Sequence, residues 1–229
     1  DWLGEVYHTP TDQYYTQSTR SQYYFPEVKP EGGFDKHICP GHWSGYRWAV
    51  QQFTNPGDYV LDPTVGTGTA VVESMNHGRH GVGIELEFSE ITRRTIQVQT
   101  DRGAPGNGTI IEGDARDLHE HVGDQQFDMV FIPGVGSYYK ASKLIYQKKY
   151  LDFLNIHKRE GSIFGICLGM QLFSTYGEEN KKTKGLNLIN GHTKKIMSNA
   201  KKLSLPFVGY QKVNFINNKK YSYLKKYND

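Results

Sequence analysis

The sequence predicts an α/β fold with a mostly parallel central sheet. Short apolar strand segments are followed by helical segments, and one strand runs through a glycine-containing turn directly into a helix. In addition, three strand segments end at or near an acidic residue, namely Asp62, Glu85 and Asp114. Because the carboxyl ends of parallel strands share one edge, these side chains predict a ligand site there.

The elements are predicted in chain order. Residues 1–34 lack a sustained hydrophobic period and predict an irregular arm. A helix is expected over 43–53, with Trp43, Tyr46, Val50 and Phe53 near one face. The remaining expected elements are strands at 59–61, 81–85, 109–111, 127–131 and 161–166, and helices beginning near residues 69 and 170. The chain is therefore divided into the arm 1–34, a first segment 35–131 and a second segment 132–229.

The two segments differ in charge. Residues 1–131 hold 9 Lys and Arg against 19 Asp and Glu, a net charge of −10, whereas residues 132–229 hold 18 against 5, a net charge of +13. Lys29 and Lys36 precede the boundary beside seven arginines, and seventeen lysines with Arg159 follow it. A basic half can indicate a nucleic-acid-binding arm, but the change of basic residue type favours two segments of different genomic origin.

Composition limits the cellular context. Two separated cysteines give no disulfide framework and suit a reducing cytoplasm. No apolar run approaches the roughly 18 residues of a membrane span, so no membrane partner is expected. The first residue is Asp1 rather than Met, which suggests a fragment or a processed product. His37, Cys39 and His42 lack a spaced fourth ligand, so no metal is predicted, and His77 is expected to be solvated.

The first segment predicts an adenosine site without a phosphate cradle. Gly66 and Gly68 let the backbone approach a ligand, and the following helix offers N–H groups. The dinucleotide pattern G-x-G-x-x-G fails at Val71, and the Gly-Lys-Ser/Thr of a phosphate-binding loop is absent. At the strand ends, Glu85 suits the two ribose hydroxyls, and Asp114 suits an adenine amino group.

These features, with residues 36–40 (Lys-His-Ile-Cys-Pro), resemble the S-adenosylmethionine-dependent amino-methyltransferases that modify adenine N6 or cytosine N4 in DNA. The resemblance covers roughly residues 35–131 and implies a Rossmann-like three-layer fold, S-adenosylmethionine as cofactor and DNA as partner. The cofactor contacts that it implies are Asp62, Thr64, Gly66, Gly68, Thr69, Glu85 and Asp114.

The loop that carries the chemistry of those enzymes is missing. The family has Asp/Asn/Ser-Pro-Pro-Tyr/Phe after the strand that matches 127–131, whereas this chain has Ile-Pro-Gly-Val at 132–135 and no Pro-Pro anywhere. Methylating an exocyclic amine requires acceptors for its hydrogens and an aromatic face for the flipped base. Methyl transfer by this chain alone is therefore not expected.

The second segment contains a predicted nucleophile elbow at residues 165–171 (Gly-Ile-Cys-Leu-Gly-Met-Gln). In Gly-x-Cys-x-Gly the small flanking residues permit a strained strand-to-helix turn, and the helix N-terminus favours the thiolate of Cys167. The alternative is a buried cysteine between two packing glycines. Residues 133–136 follow a strand and could direct backbone N–H groups, with that of Leu168, toward a developing oxyanion.

Together with residues 184–191 and 205–210, this series resembles the class I glutaminase subunit of imidazole glycerol phosphate synthase, of histidine biosynthesis, over about residues 128–215. The resemblance implies a three-layer α/β fold, glutamine as substrate and a synthase or cyclase subunit as partner. It implies these roles: Cys167 as nucleophile, Gly134, Val135 and Leu168 at the oxyanion, and Gln171 against the substrate. The family's Asp-Tyr-Gly-x-Gly-Asn segment and its His-Pro-Glu stretch, which holds the catalytic base, are absent here.

Three functions remain open. The favoured one is a composite, or chimera, of a DNA amino-methyltransferase-type cofactor segment and a glutaminase segment, each lacking part of its active site. The second is a glutaminase that releases ammonia for a synthase partner, with its base supplied by another chain. The third is a non-catalytic cofactor or nucleic-acid binding module, to which the Lys- and Tyr-rich residues 219–227 could contribute, although a solvated edge is favoured there.

Overall fold

A computed structural model describes residues 43–87, 89–147 and 150–195, and those up to Lys194 belong to one compact unit. Several predictions from the sequence lie outside the described residues. They are the irregular arm 1–34, the segment 36–40, the histidine and cysteine group His37, Cys39 and His42, the motif 205–210 and the tail 219–227.

Five strands form the main sheet, and all of its neighbouring pairs are parallel. The strands are β1 (Tyr59–Asp62), β2 (His80–Glu85), β3 (Asn107–Glu112), β4 (Met129–Ile132) and β5 (Ser162–Gly165). Their order is β3-β2-β1-β4-β5, so the strand at the segment boundary, β4, lies between β1 of the first segment and β5 of the second. The predicted α/β fold with a mostly parallel sheet is confirmed.

Helices cover both faces of this sheet. They are α1 (Trp43–Phe53), α2 (Thr69–Asn76), α3 (Ser89–Asp101), α4 (Leu118–Val122), α5 (Tyr138–Gln147), α6 (Tyr150–Glu160) and α7 (Leu168–Leu172). One buried cluster joins α1 and α2 to Val60, and the other joins α4, α6 and α7 to Leu61. Because successive strand residues point to opposite faces, Val60 and Leu61 of β1 enter different clusters. The sheet therefore lies between two layers of helices.

The boundary strand β4 belongs to both cores. Met129 and Phe131 enter the α1–α2 cluster, and Val130 and Ile132 enter the other. All four residues are buried because β4 is covered on both faces, as expected for a central parallel strand. The ring of Phe131 lies 5.7 Å from that of Phe164 on β5 and therefore packs across the boundary.

A smaller sheet follows α7. Its strands are β6 (Tyr176–Glu178), β7 (Thr183–Lys184) and β8 (His192–Lys194), in the order β7-β6-β8. β6 pairs antiparallel with β7 and parallel with β8, so that Tyr176 lies between Lys184 and His192. One face of β6 packs against α5, because a Cβ at Gly177 would meet the ring of Tyr138.

Phe53 is 45% exposed, because it is the last residue of α1 and the buried residues of that helix are Tyr46, Ala49 and Val50. One local prediction was wrong. His77 is only 3% exposed rather than solvated, because the C-terminal end of α2 packs against α1. Its Nδ1 lies 3.4 Å from the side-chain amide of Gln51, within hydrogen-bonding reach.

Candidate functional site

The loop between β1 and α2 is fixed from two sides. The Gly66 N–H donates to the Glu85 carboxylate at the end of β2, with an N···Oε2 distance of 2.8 Å. The Thr92 hydroxyl of α3 donates to the Gly66 carbonyl at 2.7 Å. Glu85 and the glycine loop are therefore in direct contact, as the shared strand edge predicted. Thr92 was not singled out from the sequence, since nothing local to it indicates this contact.

Both glycines of the loop occupy backbone conformations that disfavour other residues. Gly66 has φ 56° and Gly68 has φ 93°. A Cβ at Gly68 would also lie 2.9 Å from the Thr92 side chain. The loop thus keeps its backbone close to α3 and to the carboxyl ends of the strands, which is the arrangement that a backbone-binding ligand needs. Thr69 is the first residue of α2, while Thr64 is exposed at the loop's start.

Asp62 is the last residue of β1, directly before this loop, and its side-chain carboxyl has a raised pKa. Burial raises its pKa from 3.8 to about 7, and the nearby Glu85 carboxylate adds to the increase. A hydrogen bond from the Thr64 N–H, 3.0 Å from Oδ1, opposes the shift. Tyr150 of the second segment has a raised pKa because of its burial and, secondarily, because of the Asp62 carboxylate. The start of this loop therefore lies near the first residue of α6.

Asp114 occupies the adjoining strand end with its carboxylate already engaged. It caps the short 3₁₀ turn Ala115–Asp117, accepting from the Arg116 N–H at 2.8 Å and from the Arg116 guanidinium at 2.7 Å. The Gly113 N–H donates to the Glu85 carbonyl at 3.0 Å, which ties the β3 end to the β2 end.

The donor and acceptor set fits the predicted cofactor. S-adenosylmethionine carries a ribose diol, an adenine amino group and a cationic methionine end. The half-buried Glu85 carboxylate suits the diol, Asp114 suits the amino group, and the carboxyl of Asp62 with the loop amides suits the methionine end. Among the described residues, no group of three or more His, Cys, Asp and Glu could hold a metal ion.

Cys167 lies at a strained strand-to-helix turn. Its backbone has φ 54° and ψ −114°, it is the N-cap of α7, and it is exposed. A Cβ at Gly165 would lie 2.7 Å from the Met170 backbone, and one at Gly169 would overlap the carbonyl oxygen of Ile132. Close packing on both sides therefore requires glycine, which is the geometry of a nucleophile elbow and not of a buried cysteine.

The predicted oxyanion residues lie between the end of β4 and the start of α7. The Leu168 N–H donates to the Gly134 carbonyl at 3.2 Å, so this amide is occupied within the chain. Val135 is 53% exposed beyond the end of β4. Gln171 is half-buried on α7, and its N–H donates to the Cys167 carbonyl at 3.0 Å.

The two histidines after the boundary are engaged away from the cysteine. The Phe127 N–H donates to Nε2 of His157 at 3.2 Å, and Nδ1 of His157 lies 2.9 Å from the Phe153 carbonyl. The ring of His192 stacks on Tyr176. Neither arrangement provides a base for Cys167 in the part of the chain that the structure describes.

The sheet order, the glycine loop after β1 and the acid ending β2 define a Rossmann-like α/β protein, and β5 continues it into a cysteine elbow. A sequence family described as DNA methylase matches residues 2–94. The match ends before β3, so it includes Asp62 and Glu85 but not Asp114.

The curated relatives match the glutaminase. The imidazole glycerol phosphate synthase subunit HisH of Thermotoga maritima is 33% identical over 115 residues, which is 50% of this chain and 55% of the relative. That of Sulfolobus acidocaldarius is 37% identical over 90 residues, 39% and 43% of the two chains. The chain thus spans about half the length of the curated relatives that it matches. It resembles both families, as the sequence predicted.

Solved structures with limited likeness include TrmN from Thermus thermophilus, with a TM-score of 0.41, 18% identity and coverage of 54% of this chain and 36% of that one. Another is an RNA methyltransferase from Salinibacter ruber in complex with S-adenosyl-L-homocysteine, with a TM-score of 0.36, 18% identity and coverage of 48% and 71%. Within the described ranges, none of the helices combines the length and the apolar character required to traverse a lipid bilayer.

Proposed function

We propose that this chain binds S-adenosylmethionine at the carboxyl ends of β1, β2 and β3. The observation that carries the proposal is the hydrogen bond between the Gly66 amide and the Glu85 carboxylate, which joins the glycine loop to an acid at the open edge of the sheet. When bound, the cofactor supplies a methyl group on a sulfonium. Glu85 accepts from the ribose hydroxyls, and Asp114 accepts from the adenine amino group.

The remaining contacts come from the loop. Asp62 faces the cationic methionine end, and Thr64, Gly66, Gly68 and Thr69 form the loop and the start of α2 that border the cofactor. A cation beside Asp62 favours its ionised form, so binding releases a proton when the pH lies below about 7. The resemblance to DNA methylases supports DNA as the partner of this segment.

The chain is a composite in which neither active site is complete. After β4 the acceptor loop of an amino-methyltransferase is replaced by Pro133 and Gly134, which carry no side-chain acceptor for an amine hydrogen. The chain therefore binds the cofactor without transferring its methyl group.

Calorimetric titration with S-adenosylmethionine tests the cofactor site. We expect Glu85→Ala to weaken binding at least about tenfold, because two ribose hydroxyls lose an ionised acceptor. Glu87→Ala is the matched control, since Glu87 is exposed two residues along the same turn and should leave affinity unchanged. Circular dichroism checks that both variants are folded. If titration of the parent chain with S-adenosylmethionine produces no binding heat, the proposal is wrong.

A second function is favoured by the strained conformation of Cys167. As a glutaminase, the chain would attack the side-chain carbonyl carbon of glutamine with the Cys167 sulfur. The carbon–nitrogen bond then breaks, ammonia leaves with an added proton, and water hydrolyses the thioester to glutamate and free thiol. Gly134, Val135 and Leu168 would stabilise the oxyanion after the Leu168 N–H releases the Gly134 carbonyl, and Gln171 would contact the substrate.

This activity requires a base from a synthase or cyclase partner. We expect the isolated chain to release no more ammonia from glutamine than its Cys167→Ser variant does. Addition of such a subunit should produce a difference between the two. Ammonia release by the isolated parent, lost in Cys167→Ser, would show that the base resides in this chain and would contradict the composite interpretation.

A further inference from the structure

A group of lysines and aromatic rings lies around the small sheet that follows α7. Its members, which we call the lysine–tyrosine face, are Tyr139, Tyr146, Tyr176, Lys181, Lys182, Lys184 and His192. The first two belong to α5 and are seven residues apart, so they share one side of that helix. The others belong to β6, β7, β8 and the turn that joins β6 to β7.

The rings and ammonium groups form one connected set. The Lys181 ammonium lies 4.0 Å from the Tyr139 ring centre, and that of Lys182 lies 4.3 Å from the Tyr176 ring centre. On the other side of Tyr176, the His192 ring stacks at 5.3 Å with an interplanar angle of 7°. Lys181 and Lys182 are consecutive, so neighbouring residues of one turn contact a ring of α5 and a ring of β6.

These side chains are presented to solvent. Lys184 and His192 are the register partners of Tyr176 in the two flanking strands, so the three point to the same side of the small sheet. The opposite side is covered, since Gly177 packs on the Tyr138 ring of α5. The three lysines and His192 are exposed, and the three tyrosine rings are half-exposed.

The surrounding charge is positive. Residues 176–195 contain five lysines and two glutamates, a net charge of +3. Glu179 is directed at the start of α5, where its Oε2 accepts from the Tyr138 N–H at 2.8 Å, and Glu178 lies opposite Lys194. The lysines therefore exceed the acids that could neutralise them.

We propose that the lysine–tyrosine face binds single-stranded nucleic acid. Lysines neutralise phosphates, and exposed aromatic rings provide stacking surfaces for unpaired bases. Stacking of a base on Tyr176 contributes more binding free energy than the exposed cation–π contact of Lys182, which it replaces. The displaced Lys182 ammonium remains within reach of the adjoining phosphate. Duplex nucleic acid is disfavoured because its bases are already stacked. None of its members belongs to the residues proposed above to contact the cofactor or glutamine.

Fluorescence anisotropy of the full chain with a labelled oligo-dT of roughly 15 nucleotides tests the proposal. We expect Tyr176→Leu to weaken binding about tenfold and Tyr176→Phe to preserve it, because one base stack is lost in the first variant alone. Lys181→Gln combined with Lys182→Gln should reduce the slope of log affinity against log salt by about 1.4. These lysines are exposed, so their replacement leaves folding intact.

The basic residues 219–227 provide a competing explanation that the same assay resolves. Replacement of lysines 219, 220, 225 and 226 by Gln should leave the stacking effect of Tyr176→Leu unchanged. Equal affinity of the parent and Tyr176→Leu, with loss of binding only in the 219–226 variant, overturns the proposal. So does binding of duplex DNA or polyglutamate as tight as that of oligo-dT, which would indicate a site for polyanions in general.

Discussion

Replacing Asp62 by Asn should stabilise this protein at neutral and alkaline pH. Asp62 is 2% exposed at the end of β1, and its pKa is raised from 3.8 to about 7 by burial and by the Glu85 carboxylate. Above that pH the Asp62 carboxyl is ionised in both states, and its buried charge destabilises the folded protein relative to the unfolded one. The amide side chain of the variant would keep an oxygen to accept the Thr64 N–H bond, which now spans 3.0 Å, and it would carry no charge.

The magnitude follows from proton linkage. A shift of about three pH units, at about 1.4 kcal/mol for each unit, corresponds to about 4 kcal/mol of free energy of unfolding. Because the folded-state pKa lies above the unfolded value, the folded protein binds more protons between pH about 4 and about 7. The free energy of unfolding of the parent should thus fall as pH rises through this window and level off above it.

Urea unfolding of the parent and Asp62→Asn, measured at intervals from pH about 4 to about 8, isolates this contribution. Titrating groups other than Glu85, whose carboxylate interacts with that of Asp62, are common to both proteins and cancel in the difference between them. The difference should be small near pH 4 and reach about 4 kcal/mol above pH 7 in favour of the variant. Asp124→Asn, at an exposed position, should show no comparable difference. A difference that does not change with pH would refute the reasoning.

Three further predictions concern backbone strain and packing. Cys167→Gly should raise the free energy of unfolding by about 1 kcal/mol, since glycine adopts φ 54° without strain. An equal gain in Cys167→Ala would exclude backbone strain as the cause. Gly169→Ala should lower the free energy of unfolding by about 3 kcal/mol, because the added methyl group forces α7 away from the Ile132 carbonyl. A thermal melting midpoint equal to that of the parent would contradict this close contact. Phe131→Ala should lower the free energy of unfolding by about 3–5 kcal/mol. Calorimetry should show a single unfolding transition, because both segments share one core, and two separate transitions would contradict a common core.

The strand and helix positions could largely be predicted from the sequence. The expected strands at 59–61, 81–85 and 109–111 agree with β1, β2 and β3 to within two residues. The predicted strand 127–131 is displaced, because β4 begins at Met129 and ends at Ile132. The helix predicted to begin near residue 170 begins at Leu168 and ends at Leu172, because the chain then enters the small sheet, which had no counterpart in the prediction.

The candidate site was less predictable. The contact between the glycine loop and Glu85 follows from the common edge of parallel strands, so the acid at the end of β2 was sufficient to indicate it. By contrast, the pairing of Asp114 with Arg116 and the bond from Thr92 to Gly66 depend on side-chain directions that no motif specifies. The bond from the Leu168 N–H to Gly134 was unforeseen for the same reason.

The sequence by itself determined the local features of this protein: the strands, the positive-φ glycines at 66 and 68, and a cysteine between glycines at a strand end. Such features depend on the conformational preferences of neighbouring residues. Only the tertiary structure decided that β4 is inserted between β1 and β5 and contributes side chains to both cores. It also decided that Asp62 is buried near Tyr150 and that the lysines of β7 and its turn lie over tyrosines of α5 and β6. These relations join residues far apart in the chain, so burial and close packing fix them only after the fold has formed.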